Sequence, residues 1–317
     1  MTPGLALRSL RGQRWIWSFI GAAALWVAIA VSAEGYGAGA TLSVAFGFAT
    51  FYVIVGIGEM LVISTGSGNI DLSIPSVMTL AGYLSMGVTQ AQDERLALGV
   101  LTALGVGAGA GIVNIVLIRG ARIPPMIATL AAGFIMQSMS IAYSKGSTAK
   151  PAPLLVEFSS ARLFGLPLLA VVFIVVALLV SLILARTVFG RSVLAIGQSE
   201  RAAYLAGISV PKTTATVYLI SSMLAGLAGL LLASYSGGAS LDMSVDFLLM
   251  ALAVVVLGGT SIAGGRASVA GIWGAALFLY LTVAMLNVFG VSIGVRYVIT
   301  GLIIIAVLAL SESTEAA

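Results

Sequence analysis

Long apolar runs leave this chain one solvent in which to fold. Ten segments read as candidate membrane spans: 15–33, 41–64, 72–89, 96–118, 124–144, 164–185, 213–235, 246–262, 268–289 and 295–310. The third, eighth and tenth are the shortest of the set. A helical span takes about 20 apolar residues. The expected fold is therefore an all-α polytopic membrane protein of about ten transmembrane helices, several of them short or broken by Gly, Pro and Ser. Such breaks are tolerated where protein or a cavity takes up the freed backbone groups.

Composition closes off the soluble alternative. Of 317 residues, 60% are hydrophobic and 8% charged, against roughly 25% charged in a typical soluble protein. A soluble core of this length cannot hide so much apolar surface. The 38 glycines suit close packing of membrane helices through small residues. With no Cys and no His, thiol chemistry, disulfides, histidine relays and most zinc sites are excluded. No metal site is expected. The cations are scattered, which argues against a nucleic-acid partner.

The N-terminus has two readings. Arg8, Arg11 and Arg14 precede the run Trp15–Ala33, which ends in VSA. That pattern fits a signal peptide with a small-residue cleavage site; it also fits a first span that stays. The second reading is preferred, because the run is long enough to span and many spans follow.

Lys and Arg set the orientation. With the N-terminus inside, Arg8, Arg11, Arg14, Arg119, Arg122, Arg186, Arg191, Arg201, Lys212 and Arg266 fall on the cytoplasmic side, and Arg95, Lys145, Lys150, Arg162 and Arg296 on the far side. Both termini are expected in the cytoplasm. The acidic residues Glu34, Asp93, Glu94, Glu157, Asp242 and Asp246 then lie outside. The polar stretches 145–163 and 186–212 are too short for a soluble core, so residues 1–317 form a single transmembrane domain. Two Gly/Ser-rich breaks, TGSGNIDLSIPSVMTLAGY (65–83) and GGTSIAGGRASVAGIWGA (258–275), each open a new apolar run. Matching breaks in two halves point to a transport pathway, although helix termini also use Gly and Ser.

The largest cytoplasmic loop, about 186–212, contains QSERAAYLAGISVPK (198–212). Ser199 can cap a short helix, with Glu200 in its first turn facing the positive helix end. Gly207 can close it in the left-handed conformation, and Pro211 stops any continuation. Isolated helices of about seven residues do not persist in water, so something must hold this one. Ala202, Ala203, Leu205 and Ala206 offer a small smooth face for a partner's groove; a membrane-surface connector is the other reading.

The pattern ERAAYLAG (200–207) resembles the cytoplasmic coupling loop of permeases of ATP-binding-cassette (ABC) importers. Four stretches are similar to the ribose-type monosaccharide permeases: GRSVLAIGQSERAAYLAGISV (190–210), YLISSMLAGLAGLLLASYSGGAS (218–240), NIDLSIPSVMTLAGY (69–83) and VVLGGTSIAGGRASVAGIWGAAL (255–277). The family usually has Gly–Gly–Ile–Asp–Leu–Ser–Val–Gly where this chain has Gly68–Asn69–Ile70–Asp71–Leu72–Ser73–Ile74–Pro75, a departure that bears on the solute. The resemblance implies an inner-membrane permease subunit importing a sugar or sugar-like solute. A helix around Glu200, Ala203 and Gly207 would dock on a separate ATPase, a second permease subunit would complete the path, and a periplasmic binding protein would deliver the solute. The chain has no Gly-x-x-x-x-Gly-Lys-[Ser/Thr] loop. ATP and Mg belong to the partner ATPase, and no cofactor is expected on this chain, which is a transport subunit and not an enzyme.

Candidate path residues follow from polarity inside spans. Glu59 lies within the second span, where a charge at mid-membrane costs at least about 2.5 kcal/mol; it reads as a pathway or proton site, or as a structural carboxyl. Asn69, Asp71 and Ser73 sit at the first break. Asp71 or Ser73 can cap the next helix with Pro75 in its first turn, or they form a polar patch on the path. Asn114, Gln137, Ser138 and Ser140 are uncharged polar residues within spans. Amides supply the donors and acceptors that sugar hydroxyls need, and they also hold helices together. Arg296 can snorkel to the outer surface. Asp242 and Asp246 can pair with basic residues of a docking binding protein. An ion-coupled carrier using Glu59 and Asp71, and a passive channel, are the alternatives.

Overall fold

In a computed structural model, residues 15–32, 37–145 and 150–313 are described, and they are helical apart from loops and one two-residue ribbon. Arg8, Arg11, Arg14 and Glu34 lie outside the described residues. In chain order the helices are α1 (Trp15–Ser32), α2 (Ala38–Ile63), α3 (Ile74–Thr89), α4 (Leu96–Ile115), α5 (Pro125–Ser144), α6 (Pro153–Ser160), α7 (Leu168–Arg186), α8 (Val188–Gln198), α9 (Glu200–Leu205), α10 (Val210–Tyr235), α11 (Phe247–Leu257), α12 (Val269–Val288) and α13 (Ile293–Ser313). Each of the ten expected segments overlaps one of these helices.

Seven helices, α1, α2, α4, α5, α7, α10 and α12, are long and apolar enough to cross a membrane by length and composition. α3, α11 and the run Ile293–Ile303 of α13 are apolar but shorter. They correspond to the third, eighth and tenth segments of the sequence. At 1.5 Å per residue α3 rises about 24 Å and α11 about 16 Å, less than the roughly 30 Å of bilayer hydrocarbon. Each short helix ends at a Gly/Ser break, α3 after residues 64–73 and α11 before residues 258–268.

The centre of the molecule is α2, buried almost continuously from Ala49 to Ile63. α10 packs on α2, α3 and α4, while α12 packs on α1 and α2. In lipid, helices associate by close packing, so small residues mark the contacts. The stretch LGVGAGAG (104–111) shows this. Gly107 and Gly111 face α10, where an added Cβ at Gly107 would sit 2.4 Å from the Ser222 carbonyl oxygen. Gly105 and Gly109 meet nothing within 4 Å. Gly229 of α10 lies on α3, with its Cβ direction 2.0 Å from the Met78 carbonyl oxygen. α1 seats Gly21 against Phe278 and takes Gly274 of α12 against Ser18 and Phe19, the contacts of a packed span.

The connections carry two irregularities. α4 ends in a π-turn, Val116–Gly120, in which the Ala121 N–H donates to the Val116 carbonyl at 3.0 Å. Such turns recur at functional sites. Between α5 and α7 the polar stretch folds into α6 and an antiparallel ribbon, Arg162–Leu163 with Leu166–Pro167. Both residues of its turn, Phe164 and Gly165, have positive φ, as tight hairpin turns require. The Asp93 carboxylate accepts the Leu154 N–H at 2.8 Å and ties α6 to the turn before α4.

One boundary differs from expectation. Pro211 does not terminate the helix that contains Glu200; it lies in the first turn of α10, where a missing N–H costs nothing. The Gly107 and Gly229 contacts predict that Gly229→Ala lowers the unfolding stability of the detergent-extracted protein by about 1–3 kcal/mol, the usual cost of overpacking. Gly109→Ala, pointing into open space, leaves the melting temperature near that of the parent chain. Thermal unfolding of the two variants side by side checks both.

Candidate functional site

The first break returns alongside α2 instead of leaving the bundle. Four consecutive residues, Ile70 to Ser73, have backbone groups that side chains satisfy. Thr129 of α5 donates to the Ile70 carbonyl and accepts the Leu72 N–H, both at 3.1 Å. Both Glu59 carboxylate oxygens accept the Asp71 N–H at 3.2 Å. Asp71 accepts the Ser73 N–H at 3.1 Å. A broken helix inside a membrane needs such substitutes for water.

Asp71 is the hub. Its Oδ1 also accepts the Ser73 hydroxyl at 2.5 Å and the Asn114 amide at 3.4 Å. Its Oδ2 accepts the hydroxyls of Ser221 at 3.1 Å and Ser222 at 3.5 Å. Asn114 also donates to the Ser73 oxygen at 2.9 Å. Asp71 thus joins α2 through its N–H, and its carboxylate joins the start of α3 to α4 and α10. Glu59, Asp71, Ser73 and Asn114 are all buried and meet in one cluster, whereas the sequence offered Glu59 and Asn114 as separate polar residues within spans and Asp71 and Ser73 as a cap or a patch at the break. Ser73 occupies the N-cap position of α3 without a side-chain cap hydrogen bond; Asp71 accepts the N–H of Ser73 itself and not of a first-turn residue, and Pro75 sits in the first turn. Glu59 lies one turn from the Ile63 end of α2, not at the helix centre.

Both breaks and α8 converge at one end of the bundle. The Gly265 N–H donates to the Ser64 carbonyl at 3.1 Å. A Cβ on Gly264 would lie 2.6 Å from Gly66 Cα, and one on Gly197 would lie 2.0 Å from the Ser64 oxygen and 2.2 Å from Gly265 N. Only backbone fits at this junction. Beside it opens a polar cavity of about 480 Å³ lined by Thr65, Asn69, Arg119, Gln198, Glu200 and Thr214 among others. Asn69 reaches it half-buried, with its amide donating to Thr65 at 3.0 Å.

α9 has the grammar read from the sequence. The Ser199 hydroxyl accepts the Ala202 N–H at 3.2 Å, and Gly207 has φ +82°, the left-handed conformation that favours glycine. What holds the helix is the chain itself. Ala203 is buried with Ile196 and Val210, flanked by Ala195 and Ile208, so it anchors α9 inward and is not part of an outward smooth face. Glu200, Ala202, Leu205 and Gly207 remain exposed, with Leu205 and Tyr204 the large apolar side chains among them.

The remaining candidates disperse. Gln137 is half-buried on α5, outside the Asp71 cluster. Ser138 and Ser140 donate to carbonyls of their own helix, Phe134 at 2.8 Å and Met136 at 2.9 Å. Asp242 is exposed in the turns between α10 and α11. Asp246 heads α11 and lines a different cavity, shared with Tyr52, Arg296, Tyr297 and Thr300. The Arg296 guanidinium donates to the Asn287 side chain. Sequence reading missed Thr129, Ser221, Ser222 and Arg119. The adjacent serines in YLISSML were a visible signal, since polar pairs are rare in spans; Thr129 carried none.

With this geometry in hand, comparison with known proteins places the chain. A family model described as "Branched-chain amino acid transport system / permease component" matches residues 41–308. The chain belongs to the ribose-type permease family of ABC importers. Similar proteins include the autoinducer 2 import system permease protein of Photorhabdus laumondii, 32% identical over 95% of this chain and 93% of that protein. The ribose import permease protein of Escherichia coli K12 is 32% identical over 80% of this chain and 79% of its own length. The fructose import permease protein of Rhizobium meliloti is 31% identical over 82% and 74%. No solved structure matches significantly. A permease of this family is a multi-pass inner-membrane transport component, not an enzyme; it works with a separate ATPase subunit and a periplasmic binding protein.

The hub role of Asp71 in the permease sets a graded prediction. Asp71→Ala leaves the Ser73 N–H and several buried donors unpaired, at about 1–3 kcal/mol for each, and the purified protein should lose most of its folded yield. Asp71→Asn keeps an oxygen for Ser73 and an amide that the serine hydroxyls can accept, so it should retain a folded peak with a reduced melting temperature. Size-exclusion profiles and thermal unfolding distinguish the two.

Proposed function

We propose that this permease carries a sugar or sugar-like solute across the inner membrane, driven by ATP hydrolysis on a separate ATPase that binds Mg and ATP. The observation that carries the reading is the set of relatives. Permeases named for autoinducer 2, ribose and fructose align along most of the chain at 31–32% identity. The ion-coupled alternative finds little support, because Glu59 and Asp71 are buried and committed to backbone and hydroxyl groups.

On this reading α3, α11 and α13 join the seven long helices to make ten spans, and the Lys/Arg distribution puts both termini in the cytoplasm. A second permease subunit, identical or a sister chain, completes the path. α9 is the docking helix for the ATPase through Glu200, Ala202, Leu205 and Gly207, with Ala203 fixing it to α8 and α10. Asn69 lines the inner cavity of the path, and Glu59, Asp71, Ser73 and Asn114 hold its wall. Gln137, away from that wall, is the weakest of the path candidates. Asp242, exposed in the opposite loops, meets the binding protein.

Gentle extraction of the tagged permease from its native membrane tests the reading. A co-purifying ATPase subunit is expected, together with ATP-dependent sugar uptake in reconstituted vesicles. Recovery without any ATPase, with uptake following an ion gradient, would sink it. Gly207→Trp places a bulky group in open space beside α9 and strains a positive-φ position. It should abolish co-purification and reduce uptake at least about tenfold, while the chain stays folded; normal uptake by this variant counts against α9 as the docking helix.

A further inference from the structure

The outer half of the bundle holds a second cavity, largely apolar with a few polar groups, on a different face from the Asp71 cluster. It has a volume of about 280 Å³ and is lined by Tyr52, Asp246, Met250, Val283, Ile293, Arg296, Tyr297 and Thr300. Its depth follows from helix rise. Asp246 stands at the head of α11, whose other end is the Gly258 break. Tyr52 stands eleven residues above Ile63, the last residue of α2 before the other break. Tyr52 and Asp246 therefore lie about 16–18 Å above the junction of the two breaks, and Arg296 and Tyr297 join them from the first turn of α13, at that helix's outer end. The ring contact between Tyr52 and Phe247, 5.0 Å between centroids, confirms that the two helices are in register there.

Asp246 is exposed, and its carboxylate has no hydrogen bond or ion pair among the described residues. A bare carboxylate in the outer half of the bundle faces water or a partner charge and not lipid. Opposite it, α13 brings Arg296, whose Nε–H is buried without an acceptor. Thr300 and the phenols of Tyr52 and Tyr297 complete the lining. α11 is also one of the short broken helices, the kind of element that builds midplane solute sites in repeat-built transporters.

We propose that this cavity between α2, α11, α12 and α13 is where the translocated solute is recognised in transit, and that the solute is a small polyhydroxylated molecule. The inference rests on the sugar-import reading and deepens it. Asp246 accepts from hydroxyls, Arg296 donates to them, Thr300 and the phenols do both, and the tyrosine rings offer flat faces to the C–H side of a sugar ring. The volume is near the lower end for small-molecule sites, about 300 Å³, which suits a single sugar unit. A site open to the path and holding one carboxylate and one guanidinium recognises weakly, as a transit site must.

The chain contains no Cys, which makes a direct test clean. Single variants Asp246→Cys and Thr300→Cys are assembled with their ATPase and binding protein in vesicles and exposed to a charged, membrane-impermeant thiol reagent. Leu101→Cys and Leu178→Cys, on exposed apolar faces of α4 and α7, serve as lipid-facing controls. The expected result is rapid modification at 246 and 300 and none at 101 and 178, with ribose or fructose slowing the reaction if that sugar is imported. Asp246→Asn should reduce uptake about tenfold, the effect of losing one charge-assisted hydrogen bond. Modification at 246 and 300 no faster than at the controls overturns the proposal. So does open labelling that an imported sugar does not slow, together with unchanged uptake by Asp246→Asn. Vesicles that import neither sugar would exclude ribose and fructose as the solute, and the labelling pattern would still decide whether the cavity is aqueous.

Discussion

A helix that stops inside a bilayer strands N–H and C=O groups where no water can reach them. The rest of this structure is arranged around two such stops. The link after α2 is satisfied residue by residue, with Thr129 serving Ile70 and Leu72, Glu59 serving Asp71, and Asp71 serving Ser73. The two carboxylates are therefore not spare charge. They replace the acceptors that a continuing helix would have provided. That Asp71 also gathers Asn114, Ser221 and Ser222 turns a local repair into the contact that fixes α3, α4 and α10 around it. The second stop, after α11, is closed largely by backbone, with Gly264 and Gly265 against Gly66, Ser64 and Gly197, and by the Thr260 hydroxyl, which accepts the Ser268 N–H at 3.2 Å.

The helices were legible because apolar length is a strong signal, and two of the shortest segments, 72–89 and 246–262, proved to hold α3 and α11, which fall below spanning length. The capped helix α9 was legible for a different reason: Ser199, Glu200 and Gly207 occupy positions that only a helix start and stop explain. What holds α9 was not legible. Ile196 and Val210 lie on neighbouring helices, and nothing local says that Ala203 turns toward them. Asp71 could be named as polar and near a cap, but its partners Asn114, Ser221 and Ser222 come from 43 to 151 positions away, a separation that no single-sequence pattern encodes. Asp246 was legible as an outer charge but not as the exposed residue that heads α11 and lines a cavity with Tyr52 and Arg296, because those neighbours come from distant helices.

α11 gives the inner junction and the outer cavity a common part. One end is Gly258, where a Cβ on Gly271 would come 1.8 Å from the Gly258 oxygen; the other is Asp246 in the cavity wall. Between them the helix is eleven residues long and lies against α2. Contacts made by backbone on backbone have no side chains whose rotamers can absorb a shift, and packed interiors pass displacement on instead of damping it. α8 enters the same junction through Gly197, and α9 follows α8 after a single capping residue. On the proposed reading, a push delivered to α9 by an ATPase has a short mechanical route: α8 to the glycine junction, and the junction to α11. The element at the end of that route carries the carboxylate that faces the solute. Rigid-body motion of one short helix then changes both ends of the path together, which is what alternating access requires of a permease whose own sequence holds no motor.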